Sequence, residues 1–168
     1  MTVKPQIFFL YLMRHGEALN TGRSGDHTRQ LSHKGQTDCA AIGVRIMADF
    51  AARDMFPREI LASAATRTQE TARYLALTPP PALRLSERLY HGDAQSYLDE
   101  IRLQDTPSLL LVGHNPAISH LLHLLCARQD TRKIPQYFSP ATLAVLEFAA
   151  PAYECVPYSG HLQAVLQP

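Results

Sequence analysis

Three short apolar runs, each passing straight into a polar corner, constrain this chain more than any other feature. The first is Ile7-Phe8-Phe9-Leu10-Tyr11-Leu12-Met13, followed by Arg14-His15-Gly16-Glu17. The second is Ile60-Leu61-Ala62, followed by Ser63 and an alanine-containing segment that carries Arg67. The third is Leu109-Leu110-Leu111-Val112, followed by Gly113-His114-Asn115-Pro116. Runs this short and without helical spacing read as strands buried on both faces, as in parallel sheets covered by helices. Ser63 and Asn115 both read as helix N-caps, with Pro116 as a first helical residue. Ile118, Leu121, Leu122 and Leu125 then recur at helical spacing. With parallel strands and right-handed crossovers, His15, Arg67 and His114 emerge along one edge of the sheet, where open α/β sheets hold their ligands. Gly16 would let backbone and ligand approach closely there.

The rest of the pattern agrees. Strands are expected near 6–13, 59–63, 82–86, 108–113, 142–148 and 161–166, and helices near 33–52, 64–77, 94–104 and 116–127. Ser32 reads as the cap of the first helix, and Pro79-Pro80-Pro81 forms a stiff connector after the second. The fold class is α/β, a three-layer sandwich whose mainly parallel central sheet has helices on both faces, with an antiparallel strand at the C-terminal edge. At 168 residues, residues 1–168 are expected to form a single domain.

Each corner alone has an ordinary explanation. An Arg-His pair can be a solvated turn, a lone arginine is usually on the surface, and a corner histidine is usually structural. Three such corners together make an anion site. Arg67 lies near a helix start, where guanidinium and backbone N–H groups both donate to phosphate oxygens. A neutral imidazole can attack phosphorus in line, and flanking cations disfavour its protonation.

The motifs Leu12-Met13-Arg14-His15-Gly16-Glu17, Gln30-Leu31-Ser32-His33-Lys34-Gly35, Ser63-Ala64-Ala65-Thr66-Arg67-Thr68-Gln69-Glu70-Thr71-Ala72, Leu85-Ser86-Glu87-Arg88-Leu89-Tyr90 and Val112-Gly113-His114-Asn115-Pro116 occur in this order. The chain thereby resembles the histidine phosphatase superfamily, which includes cofactor-dependent phosphoglycerate mutases and SixA-type phosphohistidine phosphatases. The resemblance implies a phosphoglycerate mutase-like fold. It also implies that Arg14, His15, Arg67 and His114 are the four phosphate-pocket residues, with His15 the nucleophile. Glu87 sits where the mutases carry their general acid. His91 and Asp93 are its rivals, and an ion pair with Arg88 or another surface arginine is the plain alternative. Asn20 is a candidate phosphate contact, although it lies five positions after His15 where the mutase pattern has its asparagine at six. Arg29 reads as structural, and Glu17 as a brace for the turn.

Length separates the branches of that family. The short span from Glu87 to His114 leaves no room for the substrate-covering lid that mutases insert there, so the cap is expected to be minimal. The resemblance therefore implies a phosphatase acting through a phosphohistidine on His15, on protein phosphohistidine or a small phosphomonoester. A mutase-type phosphotransferase and a non-catalytic phosphate-binding module are the alternatives. A phosphoramidate leaves with less help than an alkoxide, so Glu87 bears on the substrate as well as on the mechanism.

Other classes are disfavoured. A net charge of +1 with scattered basic residues gives no nucleic-acid footprint. No apolar run approaches the roughly 20 residues of a membrane span, and Ile7 to Met13 leads into Arg14 without a small-residue cleavage site, so a cytoplasmic location is expected. Cys39, Cys126 and Cys155 are too widely spaced for a disulfide framework or a zinc pattern. His120 and His123 lie three apart on one helix with no third ligand nearby in sequence, so no metal is expected, and no cofactor. Oligomeric state is left open.

Overall fold

The computed structural model describes residues 6–21, 24–51 and 55–168. Six strands, β1 (Phe8–Arg14), β2 (Glu59–Ser63), β3 (Ala82–Ser86), β4 (Ser108–Gly113), β5 (Leu143–Phe148) and β6 (His161–Leu166), form one sheet in the order β3-β2-β4-β1-β5-β6. Strands β3, β2, β4 and β1 are parallel, while β5 is antiparallel to β1 and β6 to β5. The antiparallel part is thus two strands rather than one edge strand. The cause is the connection before β5. It crosses the carboxyl edge of the sheet, where the Ala141 N–H donates to the Arg14 and His15 carbonyls, so β5 must run back down.

Five helices cover the sheet: α1 (His33–Phe50), α2 (Thr66–Tyr74), α3 (Arg88–His91), α4 (Ala94–Arg102) and α5 (Ala117–Leu125). The apolar runs bury both of their faces by simple alternation. Leu10, Leu12, Leu109 and Leu111 pack with Tyr97, Leu98 and Ile101 of α4 and with Ile118, Leu121 and Leu122 of α5. Tyr11, Met13, Leu110 and Val112 pack on the other side with Cys39, Ile42 and Ile46 of α1 and Ala72 of α2. The chain leaves β1 toward α1 on one face and leaves neighbouring β4 toward α5 on the other. A crevice must open between those two strand ends, and that is where a doubly wound sheet binds its ligand.

Several boundaries differ from the sequence reading. Ser32 does cap α1, its hydroxyl accepting from the Gly35 N–H at 3.0 Å. The expected end of that helix at 52 lies outside the described residues. Ser63 is not the cap of α2. Ala65 holds that position, because Ser63 is the last residue of β2 and its hydroxyl turns to His114. Helix α2 ends at Tyr74 rather than 77, with Ala76 in a left-handed conformation at φ 47. Asn115 does not cap α5. Its amide donates to the Phe138 carbonyl at 3.1 Å, and Pro116 takes the cap position instead of the first helical one. The one-turn helix α3 was not anticipated, since four residues carry too little periodicity to be read.

Candidate active site

The crevice between β1 and β4 collects the residues of the three corners. Arg14 ends β1 and His15 follows it, its N–H donating to the Gly113 carbonyl at 3.1 Å, which ties the first corner to the third. Gly16 then turns the chain over α1. A Cβ there would meet the Cys39 Sγ at 2.7 Å and the Gly35 carbonyl oxygen at 2.9 Å. Glycine is therefore required by the approach of helix α1, a cause the sequence reading did not include. Glu17 braces this turn: its carboxylate accepts from the Ser32 hydroxyl at 2.6 Å and its carbonyl from the Ser32 N–H.

His15 has a fixed tautomer. Its Nδ1 lies 2.7 Å from the Gly16 carbonyl oxygen, which can only accept, so the ring proton sits on Nδ1 and the lone pair on Nε2. Burial holds the His15 pKa down at about 4, with Arg67, Arg14 and Arg29 adding to the effect. The cations foreseen from sequence are present, but loss of hydration is the larger cause. The His114 ring lies 5.2 Å away, and its pKa is pushed down to about 3, first by burial and then by His15 and Arg67. Both imidazoles are neutral at pH 7.

The two guanidiniums are anchored from behind. Arg14 Nη1 donates to the Phe138 carbonyl at 2.9 Å, and its guanidinium lies 5.9 Å from the exposed Tyr137 ring. Arg67, the second residue of α2 and 7 % exposed, donates from Nη1 to the Asp26 carbonyl at 2.8 Å and from Nη2 to the Asp26 carboxylate at 3.0 Å. Nη2 also lies 3.4 Å from His114 Nδ1. The Nε–H of each guanidinium is buried and has no acceptor among the described residues. Buried cationic donors without partners are costly, and an anion is the class of group that would relieve them.

His114 is held on three sides. Its backbone N–H donates to the Tyr97 hydroxyl at 3.1 Å, its Nε2 lies 2.7 Å from the Ser63 hydroxyl, and its ring faces the Tyr90 ring at 5.7 Å. The fully buried Tyr97 in turn donates to the Leu89 carbonyl at 2.9 Å. A Cβ on Gly113 would strike the Tyr97 ring at 2.5 Å, so glycine is the residue that lets this phenol reach the corner.

Sequence reasoning missed Asp26, Tyr90, Tyr97 and the second role of Ser63. Asp26 sits in a short 3-10 turn, Asp26–Thr28, and accepts from Arg29 at 2.9 Å and from the Tyr90 hydroxyl at 2.8 Å besides Arg67. These bonds, Arg29's first, hold its carboxyl well below the usual range. The signal available in sequence was the Asp26-x-x-Arg29 spacing. Arg29 is structural as expected, donating also to the Leu19 carbonyl at 2.6 Å.

The remaining candidates stand further out. Glu87 occupies the cap position of α3 with its side chain 76 % exposed and its carboxylate 3.8 Å from His27 Nε2, and Arg88 pairs with Glu100 instead. The His27 ring rests on Tyr90 at 4.7 Å, so Glu87 borders the crevice through that stack. Asp93 caps α4 by accepting from Ser96, which lowers its proton affinity and occupies it structurally. His91 packs on the outer side of Tyr90 at 4.4 Å. Asn20 is exposed and lines a separate depression with Glu17, Ala18, Leu19 and Ser32. Among the described residues no cluster of three metal-ligating side chains occurs, and no helix is long and apolar enough to cross a membrane.

A mainly parallel sheet presenting two neutral histidines and two anchored guanidiniums at one switch point defines a phosphoryl-transfer class of protein. The chain belongs to the histidine phosphatase superfamily (branch 1), whose family model matches residues 10–97. An uncharacterized protein of Mycobacterium tuberculosis is 31% identical over 144 residues, covering 82% of this chain and 87% of its own. The solved structure assigned as phosphohistidine phosphatase SixA from Nakamurella multipartitia superposes with a TM-score of 0.81 at 25% identity, covering 96% of both chains. The one similarly assigned from Agrobacterium tumefaciens gives 0.76 at 26%, covering 96% of this chain and 98% of that one. The fold is phosphoglycerate mutase-like, and the protein is a phosphatase whose substrate carries a phosphoryl group.

Proposed function

We propose that the protein is a SixA-like phosphatase that works through a covalent phosphohistidine on His15, with protein phosphohistidine or a small phosphomonoester as substrate. One observation carries this reading above the others: the His15 Nδ1–H donates to the Gly16 carbonyl, which leaves an unprotonated Nε2 beside Arg14 and Arg67. The Nε2 lone pair attacks phosphorus as the bond to the leaving group breaks, and the leaving group departs with that bond's electrons. Water then attacks the phosphohistidine, the P–N electrons return to Nε2, and inorganic phosphate leaves. Arg14, Arg67 and an N–H of His114 bind the equatorial oxygens, where positioning and charge do most of the work. Asn20 is not assigned to those oxygens, given its place in a separate depression.

The leaving group distinguishes the substrates. Asp93 is committed as a cap, so Glu87 is the carboxyl left to protonate an alkoxide. Its exposure, and its contact with His27 rather than with any of the four pocket residues, suit a phosphoramidate better, because a protein-borne phosphohistidine needs less acid assistance. Residues 87–114 are filled by α3, α4 and β4, which supports a minimal cap on a single domain and discharge to water rather than a mutase cycle. A cytoplasmic location fits such a substrate. The test is a panel of phosphohistidine peptide, sugar phosphates and nucleotides offered to the native protein, Glu87→Gln and His15→Ala. The reading expects His15→Ala to be inactive throughout, and Glu87→Gln to lose alkyl phosphate hydrolysis while keeping phosphohistidine turnover. Unchanged hydrolysis in His15→Ala would overturn it.

A further inference from the structure

A neutral His114 has a single N–H, and the two ring nitrogens face different partners. Nε2 lies 2.7 Å from the hydroxyl of Ser63, which is fully buried, while Nδ1 lies 3.4 Å from Nη2 of Arg67, a nitrogen that can only donate, so a proton on Nδ1 is compatible with that guanidinium when both N–H groups converge on one anion oxygen. If the proton sat on Nε2, it would point at Ser63 and leave only a lone pair for an anion held by Arg67. A lone pair beside a phosphoryl oxygen repels it. The proton has to be on Nδ1 for His114 to serve the reaction, and a pKa far below neutrality removes the option of protonating both nitrogens.

Ser63 is placed to decide the matter. Its oxygen already accepts from the Ala65 N–H at 3.3 Å, and among the described residues its hydroxyl hydrogen has one acceptor in reach, His114 Nε2. Donating there satisfies a buried O–H that would otherwise be stranded. We propose that Ser63 is a positioning residue: its hydroxyl donates to His114 Nε2, so that the ring proton resides on Nδ1 and is presented to the phosphoryl oxygen bound beside Arg67. This explains why the serine ending β2 does not cap α2. The inference rests on the reading that a phosphoryl oxygen binds between Arg67 and His114.

The experiment uses the full chain labelled with 15N-histidine, titrated with inorganic phosphate and followed by long-range 15N–1H correlation of the His114 ring. The expected result is an Nδ1–H tautomer in the phosphate-bound native protein. Ser63→Ala shifts it toward Nε2–H and weakens phosphate binding on the order of tenfold, and Ser63→Thr, which keeps the hydroxyl, restores both. An Nε2–H tautomer in the phosphate-bound native protein overturns the assignment without recourse to any variant. So does an unchanged tautomer in folded Ser63→Ala. A native protein whose His15 and His114 signals ignore phosphate fails at the earlier step, because the pocket reading itself is then wrong and the role of Ser63 goes with it.

Discussion

Tyr97→Phe removes one oxygen atom from a fully buried ring, and the structure says what that atom does. The hydroxyl donates to the Leu89 carbonyl and accepts from the His114 N–H, linking α4 to the turn of α3 and to the corner that carries His114. Phenylalanine keeps the packing against Gly113 and strands both backbone groups. Each stranded group costs about 1–3 kcal/mol, and shared relaxation brings the sum to roughly 2–4 kcal/mol. For a chain of this length that corresponds to a fall in melting temperature of roughly 4–16 °C. Urea unfolding measures the loss directly as a lower midpoint with an unchanged slope. Phosphate affinity should fall with it, because the His114 backbone is no longer fixed. A variant within about 0.5 kcal/mol of the native protein, the range of an ordinary surface substitution, with unaltered phosphate binding would refute the idea that this hydroxyl secures the corner.

Two further outcomes are expected. Both histidines have folded pKa values below the ordinary 6.5, about 4 for His15 and about 3 for His114, so the unfolded chain binds more protons across that window. Stability should therefore decline as pH falls from 6.5 toward 3, and His114→Ala, measured by urea midpoints at several pH values, should flatten the decline. Asp26→Asn keeps the shape that holds Arg67 and Tyr90 but removes a negative charge next to the proposed phosphoryl site. Inhibition by inorganic phosphate should tighten roughly three- to tenfold at low salt, and an unchanged or weaker inhibition constant would contradict the placement of that carboxylate.

How much of this was legible in sequence follows from where each partner lies. Strands β1 and β4 were readable because they are central, buried on both faces and therefore continuously apolar. The convergence of His15, Arg67 and His114 was readable because the carboxyl ends of neighbouring parallel strands open onto one edge of the sheet. The caps were misread for a physical reason: Ser63 and Asn115 have the right side chains, but the site uses them elsewhere, on His114 and on the Phe138 carbonyl. Asp26 could be read only as a local partner of Arg29, and Tyr97 not at all. Asp26 meets Arg67 across 41 positions, and Tyr97 reaches His114 across 17, contacts that exist only once the sheet has brought the elements together. The close approach of α1 to Gly16 was likewise invisible, because Cys39 and Gly35 meet it only once the helix has packed on the sheet.

The central claim is that His15 carries the phosphoryl group. The most direct measurement is to mix the native protein with a labelled phosphoryl donor, quench rapidly and locate the label. The account predicts a covalent adduct on His15 that is labile in acid, stable in base and absent in His15→Ala. Turnover with no adduct on His15, or an adduct that survives in His15→Ala, would contradict it.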